Sequence, residues 1–339
     1  MAKYIALRLL QSLFVLFGLS LLIFLIARVM PGDAARVALG SLATKEQVQN
    51  LREEMHLDKS FPVQYYFWLK SVLRGDLGKS LYTRRPVTTD LKAYIPATLE
   101  LILCSFLISL VIGQVTGVFA GYFRNSWFDG LSRLISYIGI AMPAFAVAIF
   151  LLLIFTYVLK LTPAVGRLSL RAMPPPRITS FLILDSLIAG KPGMALEGLK
   201  HILLPAVSLA VANIAQEGRI TRTSIAENLQ KDYVIAHTVY GIPRWSILFK
   251  YLLRPSLIPT VSVMGLAFAY QLSNAFLVEL VFMWPGFSRY AVTVMLNKDL
   301  NAIVAVVLVI GVAFSMVNVI VDIVVSFLDP RVRLQRMGG

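Results

Sequence analysis

Six long hydrophobic segments determine what this chain can fold into. They cover residues 9–27, 99–121, 135–159, 202–215, 257–280 and 302–328. A helix of about 20 apolar residues crosses the roughly 30 Å hydrocarbon core of a bilayer, and each segment is long enough or nearly so. The hydrophobic share of 58% also exceeds the roughly 45–50% of soluble proteins. The sequence therefore predicts an all-α polytopic membrane protein with six transmembrane helices.

The first and fourth segments carry additional information. The first follows Lys3 and Arg8, and no small-residue cleavage site precedes Arg28, so we expect an uncleaved anchor. The fourth is the shortest and carries Asn213 and Glu217 at its end. Because polar groups are unfavourable in lipid, this helix should be shielded by its neighbours.

Basic residues near the membrane predict the orientation. With the N-terminus inside, 13 of the 32 Lys and Arg residues lie inside and 19 outside, but the long first loop holds 11 of the latter. Only short loops follow the positive-inside rule, and without that loop the count is 13 to 8. We therefore expect both termini, and the polar stretch that starts at Arg219, in the cytoplasm.

Three regions follow from this topology. Residues 1–29 form the N-terminus and first transmembrane helix, and residues 30–95 form an outer, periplasmic subdomain in which Lys45–Glu54 should be helical. Residues 96–339 form a five-helix membrane core that contains a polar cytoplasmic loop, 219–255. Gly75–Ser80 is similar to a phosphate-binding loop, but that motif needs Gly at position 73, where this chain has Leu. We therefore expect a turn that is built on its two glycines.

The cytoplasmic stretch predicts two helices. Residues 224–240 contain neither Gly nor Pro, so we expect one helix that ends at Gly241. After it, Trp245, Leu248, Phe249 and Leu252 follow the i, i+3, i+4, i+7 spacing of an amphipathic helix. Such an apolar stripe needs lipid or protein to cover it.

Catalytic and metal sites are not indicated. His56, His201 and His237 fall in three different places of the predicted topology, so they cannot bind one metal ion. Cys104 is the single cysteine and should be a buried, inert thiol. The basic residues are dispersed between hydrophobic segments, which argues against nucleic-acid binding. We therefore predict no catalytic residue, no metal and no cofactor bound by this chain.

Polar side chains within the membrane segments have two possible roles. Gln271 and Asn274 share one face of the fifth segment, where they could line a hydrophilic translocation path or hydrogen-bond neighbouring helices. Asn318 and Asp322 stand one turn apart in the last segment. For these two, we favour a structural role.

A series of short motifs, in order and with fitting spacing, resembles the B-type membrane subunit of ABC importers of the dipeptide, oligopeptide and nickel family. The resemblance runs nearly end to end. The motifs are Met30-Pro31-Gly32-Asp33, Gly75-Asp76-Leu77-Gly78 with Ser80, Pro96-Ala97-Thr98-Leu99-Glu100, His201 to Ala206, Arg219 with Arg222 and Glu227, Asp232-Tyr233-Val234 with Gly241, Trp284-Pro285-Gly286, and Asn318 with Asp322 and Asp329 to Arg333.

This resemblance implies the fold of a type I importer permease that forms half of a translocation path. It implies a second, C-type permease subunit, two ATPase subunits that carry ATP and Mg, an extracytoplasmic binding protein and the lipid bilayer as partners. It also implies a bacterial inner-membrane location. The residues that it assigns to ATPase coupling are Arg222, Glu227, Asp232, Tyr233, Val234, Ala236, His237, Tyr240 and Gly241.

Three alternatives stay open at this stage. The chain could be a peptide-handling permease of the same fold with a non-nutrient role, a stand-alone channel or carrier, or a membrane enzyme. The coupling segment DYVIAHTVYG is also bulkier than the family's typical DYIRTARAKG, so ATPase partners from other systems should fit it poorly. The cargo could be a dipeptide, a longer peptide, a nickel chelate, an opine or haem.

Overall fold

Helices make up most of the protein. In the computed structural model, the structure describes residues 2–29, 43–54, 57–169 and 172–328, so Met30 to Asp33, His56 and Asp329 to Arg333 lie outside the described residues. Within these ranges, the one strand-like pairing is an isolated bridge between Lys79 and Pro86. The α-helices are α1 (Ala2–Val29), α2 (Lys45–Glu54), α3 (Phe61–Leu73), α4 (Val87–Tyr122), α5 (Trp127–Ala141), α6 (Ala144–Leu151), α7 (Leu182–Ile188), α8 (Pro192–Asn228), α9 (Asp232–Val239), α10 (Arg244–Ser246), α11 (Leu253–Val281), α12 (Phe287–Leu296) and α13 (Leu300–Leu328). Two π-helical segments, π1 (Leu152–Val158) and π2 (Ile247–Leu252), extend α6 and α10.

Five helical segments among the described residues are long and apolar enough to cross a membrane. They are Ala6–Ile26, Val87–Tyr122, Pro192–Asn228, Arg244–Gly265 and Leu300–Ile320. A sixth span is present if Trp127–Ala141 and Ala144–Val158, which are bent by 108° to each other, count as one. The all-α polytopic fold is thereby confirmed.

The third and fourth predicted spans differ from expectation. The third is not one straight helix: it breaks before α6 at Pro143, whose ring disfavours helical backbone at Met142. The fourth is not a short helix, because 202–215 is the middle of the 37-residue α8. Its expected shielding is confirmed, since Asn213 and Glu217 are both buried.

The chain divides into two compact units, 1–94 with 290–319 and 95–289 with 320–339. In the first unit, α1 packs on α3 through Phe24 and Tyr65, whose ring centroids lie 5.3 Å apart. The Ser80 hydroxyl and the Tyr82 backbone N–H donate to Asp299, which also caps the start of α13 through the Ala302 N–H. The turn before Ser80 has two glycines with positive φ, Gly75 and Gly78, as the sequence predicted.

In the second unit, α4 and α8 approach each other closely enough to bring their backbones together. A Cβ atom placed on Gly117 would lie 2.6 Å from the carbonyl oxygen of Gly218, and one on Gly121 would lie 2.6 Å from that of Arg222. Small residues at helix interfaces permit this approach in membranes, where association depends on close packing. A separate apolar core is formed by buried residues that come mainly from α4, α6, α8 and α11.

Candidate functional site

The predicted cytoplasmic helix is interrupted. Helix α8 ends at Asn228, residues 229–231 form a turn, and α9 runs from Asp232 to Val239, so the prediction of one helix over 224–240 is wrong. The Asn228 side-chain amide donates to the Ser224 carbonyl oxygen at 2.9 Å and to the Ser256 hydroxyl at 3.0 Å, which fixes the end of α8 against α11. The predicted stop at Gly241 is confirmed, because this residue follows α9 with φ of 74°.

Helix α9 is held from one side and exposed on the other. Val234 is 5% exposed and packs in a cluster with Ile225, Leu248 and Leu252. His237 is half-buried, with its ring centroid 4.1 Å from that of Tyr251. The side chains of Asp232, Tyr233, Ala236 and Tyr240 are exposed, as is Gly241, and Tyr240 reaches 84%. We call Asp232, Tyr233, Ala236 and Tyr240 the exposed face of α9.

The polar groups of this face differ in character. Asp232 lies in the first turn of α9, where a carboxylate interacts favourably with the helix dipole. Partial desolvation raises the pKa of the Tyr233 phenol above its ordinary value, and its neutral hydroxyl can donate a hydrogen bond. Together they place a carboxylate, a hydroxyl and an aromatic ring on the exposed face of α9.

Arg222 and Glu227 lie on α8, before the turn. The Arg222 guanidinium binds Asp129 of α5 in a two-pronged ion pair, with Nε to Oδ1 at 2.9 Å and Nη2 to Oδ2 at 2.8 Å. Glu227 is exposed. The structure therefore brings the residues from Asp232 to Gly241 together on α9 and its end, while Arg222 connects α8 to α5.

Sequence reasoning missed Asp129 as the partner of Arg222. This carboxylate is fully buried, and it also accepts a hydrogen bond from the Asn125 backbone N–H at 3.0 Å. Its position is set by the start of α5, because the Ser126 hydroxyl accepts from the Asp129 N–H. A signal was present: Ser126-Trp-Phe-Asp129 before an apolar run is a helix-capping pattern.

The polar residues predicted for the membrane interior have different environments. Gln271 is 1% exposed and donates to the Ser105 hydroxyl of α4 at 3.1 Å, whereas Asn274 is exposed. Asn318 and Asp322 on α13 are both half-buried. Gln271 thus makes an interhelical hydrogen bond, which is the structural role considered for it. Asn274 is exposed, as a residue that lines a hydrophilic path would be.

Glu279, near the end of α11, is a second residue that the sequence analysis missed. Its carboxylate accepts hydrogen bonds from the Thr98 hydroxyl and from the backbone N–H groups of Ser288 and Arg289, at the start of α12. A Cβ atom on Gly286 would collide with this carboxylate, which explains the glycine of the Trp284-Pro285-Gly286 motif. A charged residue inside an apolar run was the available signal.

Comparison with known proteins agrees with this architecture. Residues 113–334 match the family described as binding-protein-dependent transport system inner membrane component, and residues 1–102 match the N-terminal part of the membrane components of such systems. Together the two matches cover nearly the whole chain.

Individual relatives align over nearly their full length. The chain is 36% identical to the probable D,D-dipeptide transport system permease protein DdpB of Escherichia coli (strain K12), over 95% of this chain and 94% of that protein. It is 33% identical to the dipeptide transport system permease protein DppB of Alkalihalophilus pseudofirmus, over 98% and 100%. It is 30% identical to the glutathione transport system permease protein GsiC of Escherichia coli (strain K12), over 98% and 99%. The chain therefore belongs to the binding-protein-dependent transport system inner membrane components, as a multi-pass permease subunit of an ABC importer.

Proposed function

We propose that this chain forms half of the translocation path for short peptides and pairs with a second, C-type permease subunit. Two ATPase subunits would dock on the cytoplasmic side, and a binding protein would deliver peptide from outside. The observation that carries the proposal is the exposed face of α9, an eight-residue helix anchored through Val234 and open on its other side.

Anchoring makes α9 suitable for transmitting force. A docking element that moved freely would absorb the displacement of an ATPase subunit, whereas α9 is fixed to π2 and to the end of α8 by a buried apolar cluster. Helix α8 then continues without interruption for 37 residues, and Arg222 ties it to α5 through Asp129. Displacement of α9 would therefore move α8 and α5 together, which fits the rigid-body changes of alternating-access transporters.

The proposal also assigns separate roles to the subunits. ATP and Mg would be bound by the ATPase subunits, and this chain would carry out no chemistry of its own. Both termini and α9 would lie in the cytoplasm, in line with the excess of Lys and Arg in the short loops assigned to that side.

The cargo proposal rests on the relatives. Those that match the chain over nearly its whole length are named for D,D-dipeptide, dipeptide, di/tripeptide and glutathione transport. These cargoes share a short peptide backbone. We therefore propose a peptide of two or three residues as cargo, selected largely by the binding protein.

The docking proposal is tested with Tyr240→Ala, which removes the most exposed aromatic side chain of the face without touching the core. Loss of an interface aromatic of this kind costs about 2 kcal/mol, or a roughly 30-fold weaker affinity. The measurements are binding of the ATPase subunits to the purified permease pair and ATP hydrolysis stimulated by loaded binding protein.

The matched control is Met173→Ala, because Met173 is 82% exposed but lies in a loop assigned to the outer side. This variant should bind the ATPase subunits normally. Unchanged ATPase binding by Tyr240→Ala would refute docking at α9. Solute movement by this chain alone would instead favour the stand-alone channel or carrier, and transport of a peptide by the complete system would test the cargo.

A further inference from the structure

Five aromatic side chains form a cluster where two membrane-spanning segments meet the boundary of the bilayer. Phe119, Tyr122 and Phe123 come from the end of α4, and Trp245 and Phe249 come from α10 and π2. The Trp245 ring stacks on Tyr122 and on Phe249, with centroid distances of 6.1 and 6.0 Å and interplanar angles of 23° and 18°. Phe119 meets Trp245 edge-on at 6.5 Å.

This cluster is only half covered by protein. Of the apolar stripe that the sequence predicts over 245–252, Leu248 and Leu252 are fully buried, but Trp245 and Phe249 are 54% and 55% exposed. Phe123 is 45% exposed. The structure thus leaves a stacked aromatic surface open on its outer side.

The aromatic cluster lies at the ends of two membrane-spanning segments, which places it at a membrane boundary. The span Val87–Tyr122 ends at the cluster, and the span Arg244–Gly265 begins there. Aromatic side chains are enriched at this depth, because their rings enter the acyl region while polar groups stay at the headgroups.

The charge around the cluster has one sign. Arg124 directly follows Phe123, Arg244 directly precedes Trp245, and Lys250 directly follows Phe249; all three are exposed. The two sequence stretches that build the cluster, 101–128 and 233–278, contain no Asp or Glu; Asp129 and Asp232 stand directly beyond them, and Asp129 is paired with Arg222. The surface therefore combines apolar rings with exposed positive charge.

We propose that the aromatic cluster and its flanking residues Arg124, Arg244 and Lys250 bind an anionic phospholipid of the inner leaflet. The guanidinium groups would take the headgroup phosphate, and the exposed faces of Trp245 and Phe249 would take the acyl chains. Basic residues at the cytoplasmic membrane surface favour anionic lipid by about fivefold per charge. A free phosphate would leave the rings uncovered, which is why the proposed ligand is a lipid.

The test uses Trp245 as the reporter in the complete transporter, reconstituted in bilayers that contain a brominated lipid. Bromine quenches tryptophan on contact, and the Trp245→Phe complex supplies the signal of all other tryptophans of the transporter for subtraction. Brominated phosphatidylglycerol should quench Trp245 at a several-fold lower mole fraction than brominated phosphatidylcholine does. The double variant Arg124→Gln, Arg244→Gln should reduce this preference but still be quenched, whereas Lys191→Gln, which removes an exposed charge elsewhere, should keep it.

Two results would overturn the proposal. Equal quenching by both lipids would show that the basic residues do not select an anionic headgroup, and absence of quenching would show that a protein partner covers the rings. A second measurement is independent of fluorescence: phosphatidylglycerol added to the detergent-solubilised complex should raise the thermal midpoint of the wild type more than that of the double variant. Neither readout depends on transport, so failure of the proposed function would be seen separately.

Discussion

The buried ion pair between Asp129 and Arg222 should contribute more to stability than an exposed ion pair does. Its carboxylate is 0% exposed and its guanidinium 21% exposed, and two hydrogen bonds of 2.9 and 2.8 Å join them. Breaking a buried pair costs about 3–5 kcal/mol, because the remaining charge stays buried. Since water reaches Arg222, we expect about 2–3 kcal/mol for Asp129→Asn, which keeps the size of the side chain.

The same carboxylate provides a matched control. Arg133 also approaches Asp129, with Nε 3.7 Å from Oδ1, but its side chain is 50% exposed. Exposed pairs contribute about 0–1 kcal/mol, so Arg133→Gln should lower the free energy of unfolding by about 0.5 kcal/mol or less. The contrast separates the effect of burial from that of net charge.

A double-mutant cycle completes the test. Asp129→Asn, Arg222→Gln and the double variant are compared by equilibrium unfolding of the purified protein in mixed micelles with sodium dodecyl sulfate. The destabilisation of the double variant should be smaller than the sum of the two single effects by at least about 1.5 kcal/mol. The reason is that each single variant leaves one buried charge without its partner. Additive effects, or an Arg133→Gln cost as large as that of Asp129→Asn, would refute the reasoning.

Two further predictions concern helix packing and pH. Gly117→Ala should lower the thermal midpoint, since the new Cβ would lie 2.6 Å from the Gly218 carbonyl oxygen and overpacking costs about 1–3 kcal/mol; Gly130→Ala, with nothing within 4 Å, should be neutral or stabilising. Burial alone would raise the pKa of Asp185, but hydrogen bonds from residues 178–180 outweigh it and the pKa is lowered. The contribution of Asp185 to the free energy of unfolding is therefore fully present above the pKa of this residue in the unfolded chain, about 3.9. It is lost as pH falls through the lower pKa of Asp185 in the folded protein. The difference in unfolding midpoint between wild type and Asp185→Asn should persist from pH 7 to 5 and shrink toward pH 3; a pH-independent difference would contradict this.

The membrane-spanning fold could be predicted from sequence because hydrophobic length is a direct requirement of the bilayer. The same reasoning misjudged helix ends, where no such requirement acts. In α8, Asn213 and Glu217 made a short span plausible, yet helical hydrogen bonding continues on both sides and packing shields the polar groups. At Pro143, the break could have been expected from the ring alone.

The end of α9 was predicted more accurately than the contacts between distant residues. The end of α9 at Gly241 could be predicted because a positive φ depends on the residue itself, whereas the start of α9 at Asp232 was not predicted and one helix over 224–240 was expected instead. The partners of Arg222 and of the Glu279 carboxylate lie 93 and 181 residues away in sequence. Such pairings depend on helix packing, and one sequence without aligned relatives contains no information on which charged residues meet.

The glycine contact between α4 and α8 limits how this protein can deform. Because Gly117 and Gly121 bring backbone against backbone, little room is left for one helix to slide past the other. We therefore expect α4 and α8 to move as one unit. Bending during a transport cycle should then concentrate elsewhere, and within this unit the 108° break between α5 and α6 is a place where helical hydrogen bonding is already interrupted.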